Sequence, residues 1–166
     1  MRFAHTFVAA LALAAGTTLT VAAHHAAPTP ANIDTALACQ ARVIDAVRKD
    51  AGGPVFVTFD RMPDVNGANV SGAAMDRSVD RDDRQMSYSC AGAKPTYAYR
   101  DGRKPVVMKG AWPSGATRAC ESAAGGGFAV ASLSASDTAA EYIIGINGGG
   151  TVKICAMDKT RVVSVK

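Results

Sequence analysis

Four cysteines, Cys39, Cys90, Cys120 and Cys155, limit the possible folds of this chain more than any other feature of its sequence. Their number is even, and no two of them have the C-x-x-C spacing of a redox or zinc motif. Widely spaced cysteines form disulfides when a protein is exported to an oxidising compartment. We therefore expect two disulfides and no free thiol, provided that the chain is exported.

The N-terminal segment predicts export. Residues 1–23 contain an early arginine, an apolar run of alanine, leucine and valine, and small residues at the end. This order is typical of a secretory signal peptide, with cleavage expected before His24. Gly16 and several threonines interrupt the apolar run, so we expect no stable membrane insertion after cleavage. The mature protein should be periplasmic or secreted, and residues 24–32 should form a flexible leader.

The rest of the chain passes twice from a helical pattern to strand patterns. Residues 33–51 place apolar side chains at helical spacing, and Gly52 and Gly53 end the pattern. Four strand-like runs follow, and a second helix candidate around Cys120 precedes four more. We predict an α+β fold of tandem modules, each with a helix packed on an antiparallel sheet of about four strands. The modules should span residues 33–112 and 113–166, with one more short strand in the connector before Pro113.

The cysteines occupy the same places in both predicted modules. Cys39 and Cys120 lie on the helices, and Cys90 and Cys155 lie on the third strand of each module. A helix packed on a sheet brings its inward side chains close to the middle strands, at a separation that a disulfide requires. This placement favours the pairs Cys39–Cys90 and Cys120–Cys155. Helix-to-helix with strand-to-strand pairing and the crossed connectivity remain open, because four cysteines allow all three.

The strand that carries Cys155 is apolar on both faces. If Cys155 faces its helix, Lys153 and Met157 share that face, whereas Val152 and Ile154 point to the other side. A sheet of this kind is either covered on both faces or leaves an exposed patch, and exposed apolar patches mark binding surfaces.

Composition argues against several classes of function. The 166-residue chain has a net charge of +4, which is too small for a dedicated nucleic-acid binder. Its three histidines are His5, His24 and His25, so the predicted folded body lacks an imidazole for a catalytic triad or a zinc site. The glycine clusters lack the lysine of a phosphate loop and precede strands. We therefore expect no metal, no cofactor and no enzymatic activity.

An acidic and basic run covers residues 76–84, MDRSVDRDDRQ in its context. It lacks the glycine and the closing glutamate of a calcium loop. Each aspartate has an arginine neighbour, which predicts a solvated loop whose charges neutralise one another.

Two resemblances bear on these predictions. The segment from residue 116 to 166, ending in TVKICAMDKTRVVSV, resembles small exported bacterial proteins of unknown function that end in a cysteine-containing strand and a short valine-rich strand. The tandem arrangement over residues 31–166 is similar in architecture to the secreted proteinaceous beta-lactamase inhibitor, which has two helix-on-antiparallel-sheet repeats. No sequence motif of that inhibitor is matched, so no binding residue is carried over from it.

Two hypotheses of function follow. The first is a non-enzymatic exported binding or inhibitor protein that presents a sheet face to another protein or to an envelope component. Its binding surface should centre on Tyr97, Tyr99, Arg100 and Trp112, because large aromatics beside an arginine are common at the energetic centres of interfaces. The second is a carboxylate-based hydrolase of envelope polymers. The binding hypothesis requires that Tyr97 and Tyr99 are exposed. The hydrolase hypothesis requires two acidic side chains close together in a cleft.

Overall fold

The computed structural model describes residues 29–59, 62–79, 82–109, 115–125, 129–135, 141–146, 151–159 and 161–166. Over these residues the protein has an α+β fold. The elements in chain order are α1 (Pro30–Ala51), β1 (Val57–Phe59), β2 (Asp64–Asn66), β3 (Asn69–Asp76), β4 (Arg84–Ala91), β5 (Lys94–Tyr99), α2 (Gly115–Ala124), β6 (Ala129–Ala135), β7 (Glu141–Ile146), β8 (Val152–Asp158) and β9 (Arg161–Val165). We refer to residues 29–109 as the first half and to residues 115–166 as the second half.

Helix α1 has distinct start and stop signals. The hydroxyl of Thr29, its N-cap, accepts a hydrogen bond from the backbone N–H of Asn32 at 3.3 Å, and Pro30 occupies the first turn. Gly52 ends the helix with a left-handed φ of 77°, which glycine adopts without strain. The buried residues recur at helical spacing along one face: Ala36, Leu37, Gln40, Val43, Ile44 and Val47. Because α1 begins at Pro30, the end of the predicted leader is helical.

All described strands belong to one sheet. Its order is β5-β4-β3-β1-β6-β7-β8-β9, and β2 pairs with β3 beside this path. The neighbours pair in antiparallel fashion except β1 and β6, which run parallel with Val57 beside Ser132 and Phe59 beside Ser134. The sequence predicted a separate sheet for each module. The structure has a single sheet instead, because β1 and β6, two would-be edge strands, satisfy each other's backbone groups.

The two helices lie on opposite faces of this sheet. Ile144 of β7 belongs to the apolar cluster of α1, which includes Leu37. Its neighbour Ile143 belongs to a second cluster, which includes Cys120 of α2. Because successive side chains of a strand point to opposite faces, the two clusters lie on different sides of the sheet.

Helix α1 also reaches the second half. Val152 and Ile154 of β8 pack against its cluster, and Lys166 Nζ lies 2.9 Å from Asp34 Oδ1. The 22 residues of α1 are about 33 Å long and the 10 residues of α2 about 15 Å. The longer helix therefore covers one face of both halves, while α2 packs on β6, β8 and β9. The strand of Cys155 is apolar on both faces, and we expected its sheet either to be covered on both faces or to leave an exposed patch. In the structure it is covered on both faces.

Both disulfides favoured by the sequence are confirmed. Cys39 of α1 is bonded to Cys90 of β4, and Cys120 of α2 is bonded to Cys155 of β8, with sequence separations of 51 and 35. All four side chains are buried. Each bond ties a helix to the strand beneath it.

The connector after β5 differs from the prediction. Residues 102–109, which we refer to as the strap, form no strand. Two separate hydrogen bonds hold the strap instead of a ladder: Met108 N–H donates to Pro54 O at 2.7 Å, and Lys109 N–H donates to Ser78 O at 3.1 Å. Residues 110–114 and the predicted signal peptide lie outside the described residues. Neither of the two described helices is long and apolar enough to cross a membrane.

Candidate functional site

Among the elements that the structure describes, no helix packs on one face of the first half. The residues of β4 that point towards α1, such as Tyr88, are buried, and those of β5 are half-buried, as Tyr97 is, or buried, as Tyr99 is. Their neighbours on the other side are mostly exposed. The same alternation is present in β3. We refer to the uncovered side as the open face; it consists of every second residue from Asn69 to Met75, from Gln85 to Ala91 and from Lys94 to Arg100.

A row of hydroxyl groups crosses the middle of the open face. Ser71, Ser89 and Thr96 are register partners on three adjacent strands. Ser89 Oγ and Thr96 Oγ1 are 2.8 Å apart and share a hydrogen bond. The next row also consists of small side chains: Ala73, Ser87 and Ala98. Because these side chains are short, a ligand could approach the hydroxyl groups and the backbone closely.

A concavity of about 510 Å³ lies over these rows. Ser71, Ser89, Thr96 and Ala98 line it, and Asp64 of β2 stands at its margin. Asp64 is the register partner of Ser71, so it projects from the same face. Among the described residues that line the concavity, Asp64 is the one carboxylate. The site therefore offers several hydroxyl groups and a single negative charge.

Two cations flank this site along β5. Lys94 and Arg100 lie at opposite ends of the strand, about 20 Å apart for an extended chain, and both are exposed. Arg100 Nη1 donates a hydrogen bond to Gln85 Oε1 at 2.9 Å, which holds the guanidinium against β4. Neither cation lines the concavity. Positive charge is thus confined to the rim of the open face.

Of the predicted binding residues that the structure describes, Tyr97 and Tyr99 are in contact, with ring centroids 5.9 Å apart, whereas Arg100 points to the other face of the sheet. Tyr99 is only 8% exposed, and its hydroxyl donates to Asp76 Oδ2 at 2.5 Å. Tyr97 is half-buried and donates to the carboxylate of Asp50 on α1. Both rings point towards α1, whereas Arg100 lies on the open face, and Trp112 lies outside the described residues. The expectation of an exposed tyrosine pair is not met, because α1 and neighbouring carboxylates take up both side chains.

Beneath Tyr99, a buried arginine fixes the strap to the sheet. The side chain of Arg84 is 4% exposed and donates two hydrogen bonds to the Asp101 carboxylate at 2.9 and 3.0 Å. Two further hydrogen bonds go to backbone carbonyls of the strap. The guanidinium also lies 4.0 Å from the centre of the Tyr99 ring and 3.9 Å from Asp76 Oδ2. Arg84 therefore organises a cluster of charges that serves the fold.

The run at residues 76–84 is only partly the solvated loop that the sequence predicted. Arg77 and Asp83 do form a surface pair at 3.4 Å. Asp76 and Arg84, at the two ends of the run, are buried. The difference arises because both residues lie at the ends of strands, β3 and β4, and face the side that α1 covers.

Asp101 of this cluster does not have the properties of an acid catalyst. Hydrogen bonds from Arg84 lower the pKa of Asp101, whereas a general acid requires a carboxyl with a raised pKa. Burial, followed by the hydrogen bond to Asp76, raises the pKa of Tyr99, which keeps this hydroxyl protonated. The cluster is therefore suited to holding β3, β4 and the strap together.

The described residues contain no group of three or more histidine, cysteine or acidic side chains that could hold a metal ion. Their four cysteines are all engaged in disulfides. The chemical resources of the open face are hence hydrogen bonds, one carboxylate and two rim cations.

The sequence contained a signal for the open face that we did not use. In β4 and β5, serine, alanine and threonine alternate with larger residues such as Met86, Tyr88 and Tyr97. This period of two separates a covered face from an uncovered one. We assigned the binding role to the large side chains, whereas the alternation identifies the small ones as those that face outward.

In comparisons with protein-family models, with curated proteins and with solved structures, nothing matches this chain.

Proposed function

We propose that this chain is an exported, disulfide-stabilised binding protein of the bacterial envelope, without enzymatic activity, which contacts its ligand through the open face. One observation carries the proposal: a sheet covered elsewhere by helices leaves one face bare, and small hydroxylated side chains line a concavity there. Strands that merely face water usually present long charged side chains. Here such residues stand only at the rim, as Lys94 and Arg100 do.

Export is supported by two independent features. The two buried disulfides are of the kind that persists in an oxidising compartment. The N-terminal sequence has the order of a secretory signal peptide. A periplasmic or secreted location agrees with both.

We also propose that the two halves are tandem copies of one module. In each half a helix precedes the strands, and a disulfide joins that helix to the penultimate strand of an antiparallel series. The parallel pairing of β1 and β6, with the helices on opposite faces, is the arrangement that a two-fold rotation about an axis along the strands produces. The β2 hairpin is an addition to the first copy.

The test of the binding function blocks the open face without disturbing the core. Ser71→Lys with Ser87→Lys places two long side chains over the concavity at exposed positions. The matched control is Ser122→Lys with Ala123→Lys, which makes the same change in charge at two exposed positions of α2. Immobilised mature, oxidised protein is incubated with an envelope fraction, and the captured material is quantified.

We expect wild type and control to capture the same envelope component and the blocked variant to lose it. Equal melting temperatures for the three proteins ensure that folding does not explain the difference. Capture by the blocked variant at the wild-type level would refute the binding role of the open face.

A further inference from the structure

We infer that the ligand of the open face is a glycan, a chain of polyhydroxylated sugar units, rather than a protein. This inference rests on the proposed function and specifies its ligand. Three properties of the open face lead to it: its area, its lack of anchoring side chains and its hydrogen-bonding chemistry.

The open face is small for a protein partner. Three strands are about 15 Å wide and eight residues of a strand are about 27 Å long, which gives an area of about 400 Å². Stable protein–protein interfaces bury about 800 Å² on each partner. A glycan strand is narrow and extended, so it could lie within these dimensions and remain in contact along its length.

The centre of the open face also lacks the side chains that anchor protein interfaces. Energetic centres of such interfaces are enriched in tryptophan, tyrosine and arginine. The outward-facing central positions here are occupied by serine, alanine and threonine. Tyr88 and Tyr97 also line the concavity, but their rings pack in the cluster of α1. A protein partner would find no pocket-filling residue at the middle of the contact.

The chemistry of the concavity matches a polyhydroxylated ligand. Each hydroxyl of Ser71, Ser89 and Thr96 can donate one hydrogen bond and accept others, as can the hydroxyl groups of a sugar. Asp64 accepts hydrogen bonds from sugar hydroxyls and disfavours a phosphate or carboxylate at the same place. The methyl group of Ala98 offers an apolar contact to the C–H groups of a ring. A volume of about 510 Å³ lies within the range of sites that hold small ligands or single units of a polymer.

The position of the charged side chains distinguishes a neutral glycan from a polyanion. Lys94 and Arg100 lie at the rim and outside the concavity, so binding at its centre should involve few ion pairs. A polyanion would instead bind through these cations, and its affinity would fall steeply with salt. We therefore expect binding that changes less than about threefold between roughly 0.05 and 0.5 M salt, a range over which screening increases strongly.

The probe is purified cell-wall sacculi freed of protein, with a soluble N-acetylglucosamine tetramer as competitor. Binding is measured by cosedimentation with the mature, oxidised protein. The test variant combines Ser71→Ala, Ser89→Ala and Thr96→Val, which removes the hydroxyl row and keeps the shape of the face. The control combines Ser122→Ala on α2 with Ser164→Ala on β9, which removes hydroxyl groups from the second half instead.

We expect the wild type and the control to bind the sacculi and to be displaced by the tetramer. The variant without the hydroxyl row should bind at least about tenfold more weakly, since each lost hydrogen bond weakens binding severalfold. Unchanged binding by this variant, or a steep dependence of binding on salt, would overturn the inference.

Failure of the glycan inference is distinguishable from failure of the proposed function. The envelope fraction is treated before capture either with protease or with a glycan-cleaving hydrolase. Loss of capture after protease alone, while Ser71→Lys with Ser87→Lys still blocks capture, would overturn the glycan and leave a binding function with a protein ligand. Capture by the blocked variant in every condition would instead refute the binding function itself.

Discussion

The first half leaves one face of its sheet bare, whereas the second half is covered on both faces, although the order of elements in the two is nearly the same. The difference lies in the helices. Helix α1 is long enough to pack against β4 and β5 and also to reach β8, whereas α2 packs on strands of its own half. Two halves with nearly the same order of elements therefore differ within one sheet, where the first has an uncovered face and the second is covered on both faces, because one helix is about twice as long as the other.

The two halves differ in polarity as well. The apolar cluster around α1 is joined by charged and aromatic groups, namely Arg84, Asp76 and Tyr99. The cluster around α2 consists of the disulfide with small and aliphatic residues such as Val130 and Ile143. The first half therefore contains a buried charged cluster, whereas the described residues of the second half combine the disulfide and apolar packing with hydrogen bonds such as Val130 N–H to Glu121 Oε1 and Lys153 Nζ to Ala124 O.

Removal of either disulfide should reduce the free energy of unfolding more than any other change. The two removals should loosen different parts of the molecule. Loops of 51 and 35 positions each give about 4 kcal/mol in the chain-entropy model, so Cys39→Ala with Cys90→Ala and Cys120→Ala with Cys155→Ala should lose similar free energies of unfolding. Helix α1 retains a long buried face in the first variant, whereas α2 buries little besides Cys120 and should detach in the second.

Denaturant unfolding gives the loss of stability, and amide hydrogen exchange locates it. We expect rapid exchange throughout α2 in the variant without the second disulfide and continued protection of α1 in the variant without the first. Equal protection of both helices would remove the contrast between the halves.

Arg84→Met should destabilise the protein by about 3 kcal/mol, because it leaves the charge of Asp76 buried without its cation. This value is at the low end of the cost of breaking a buried ion pair, because Asp76 keeps hydrogen bonds from Tyr99 and from Ser78 N–H. Arg103→Met is the control: this side chain is 59% exposed, so its loss should reduce the free energy of unfolding much less than the loss of Arg84 does. Limited proteolysis should cut the strap in the Arg84 variant and spare it in the control. Equal stabilities would show that Arg84 does not anchor the strap.

Much of the fold could be predicted from local sequence, because its signals are local. The helical spacing up to Gly52, the strand-like runs and the matched cysteine positions identified the helices, most strands and both disulfides. The junction of β1 with β6 could not be predicted, because it joins residues that are far apart in the chain and depends on which edges remain unpaired. The strap at 102–109 has valines typical of a strand, yet its backbone bonds to Pro54 O and Ser78 O are two separate hydrogen bonds rather than a ladder.

The candidate site was harder to predict than the fold. Tyr97 and Tyr99 alternate on one side of β5, as expected, but only the position of α1 decides which side is covered. That position depends on the length and direction of α1, which residue types along β5 do not specify. Of the two large aromatics expected at a surface, Tyr99 is buried beside Asp76 and Tyr97 is half-buried beside Asp50, so both hydroxyl groups are held on the covered side.

Single substitutions should have smaller effects on stability, and the size of the effect should depend on whether the residue lies on a covered face or on the open face. Ile143 and Ile144 are adjacent, point to opposite faces and are both buried, so replacement of either by valine should cost about 1 kcal/mol. On the open face, Ser87→Ala should change the free energy of unfolding by less than about 0.5 kcal/mol. Urea unfolding of the three single variants tests this. A neutral Ile143→Val would mean that α2 does not cover the sheet of the second half.

The smallest expected effect concerns alkaline pH and the first half. Burial raises the pKa of Tyr88 to about 12, and burial raises the pKa values of Tyr97 and Tyr99 as well. The unfolded chain ionises its tyrosines near pH 10, so this contribution to stability is complete below pH 10 and is lost as pH rises towards 12. For Tyr88 alone the free energy of unfolding should fall by about 0.8 kcal/mol between pH 8 and pH 10.5. Tyr88→Phe removes the titrating hydroxyl. Between pH 8 and pH 10.5, the free energy of unfolding of this variant, measured with urea, should therefore fall by about 0.8 kcal/mol less than that of the wild type. If the variant and the wild type lost equal stability, the tyrosines under α1 would not set the alkaline limit of the first half.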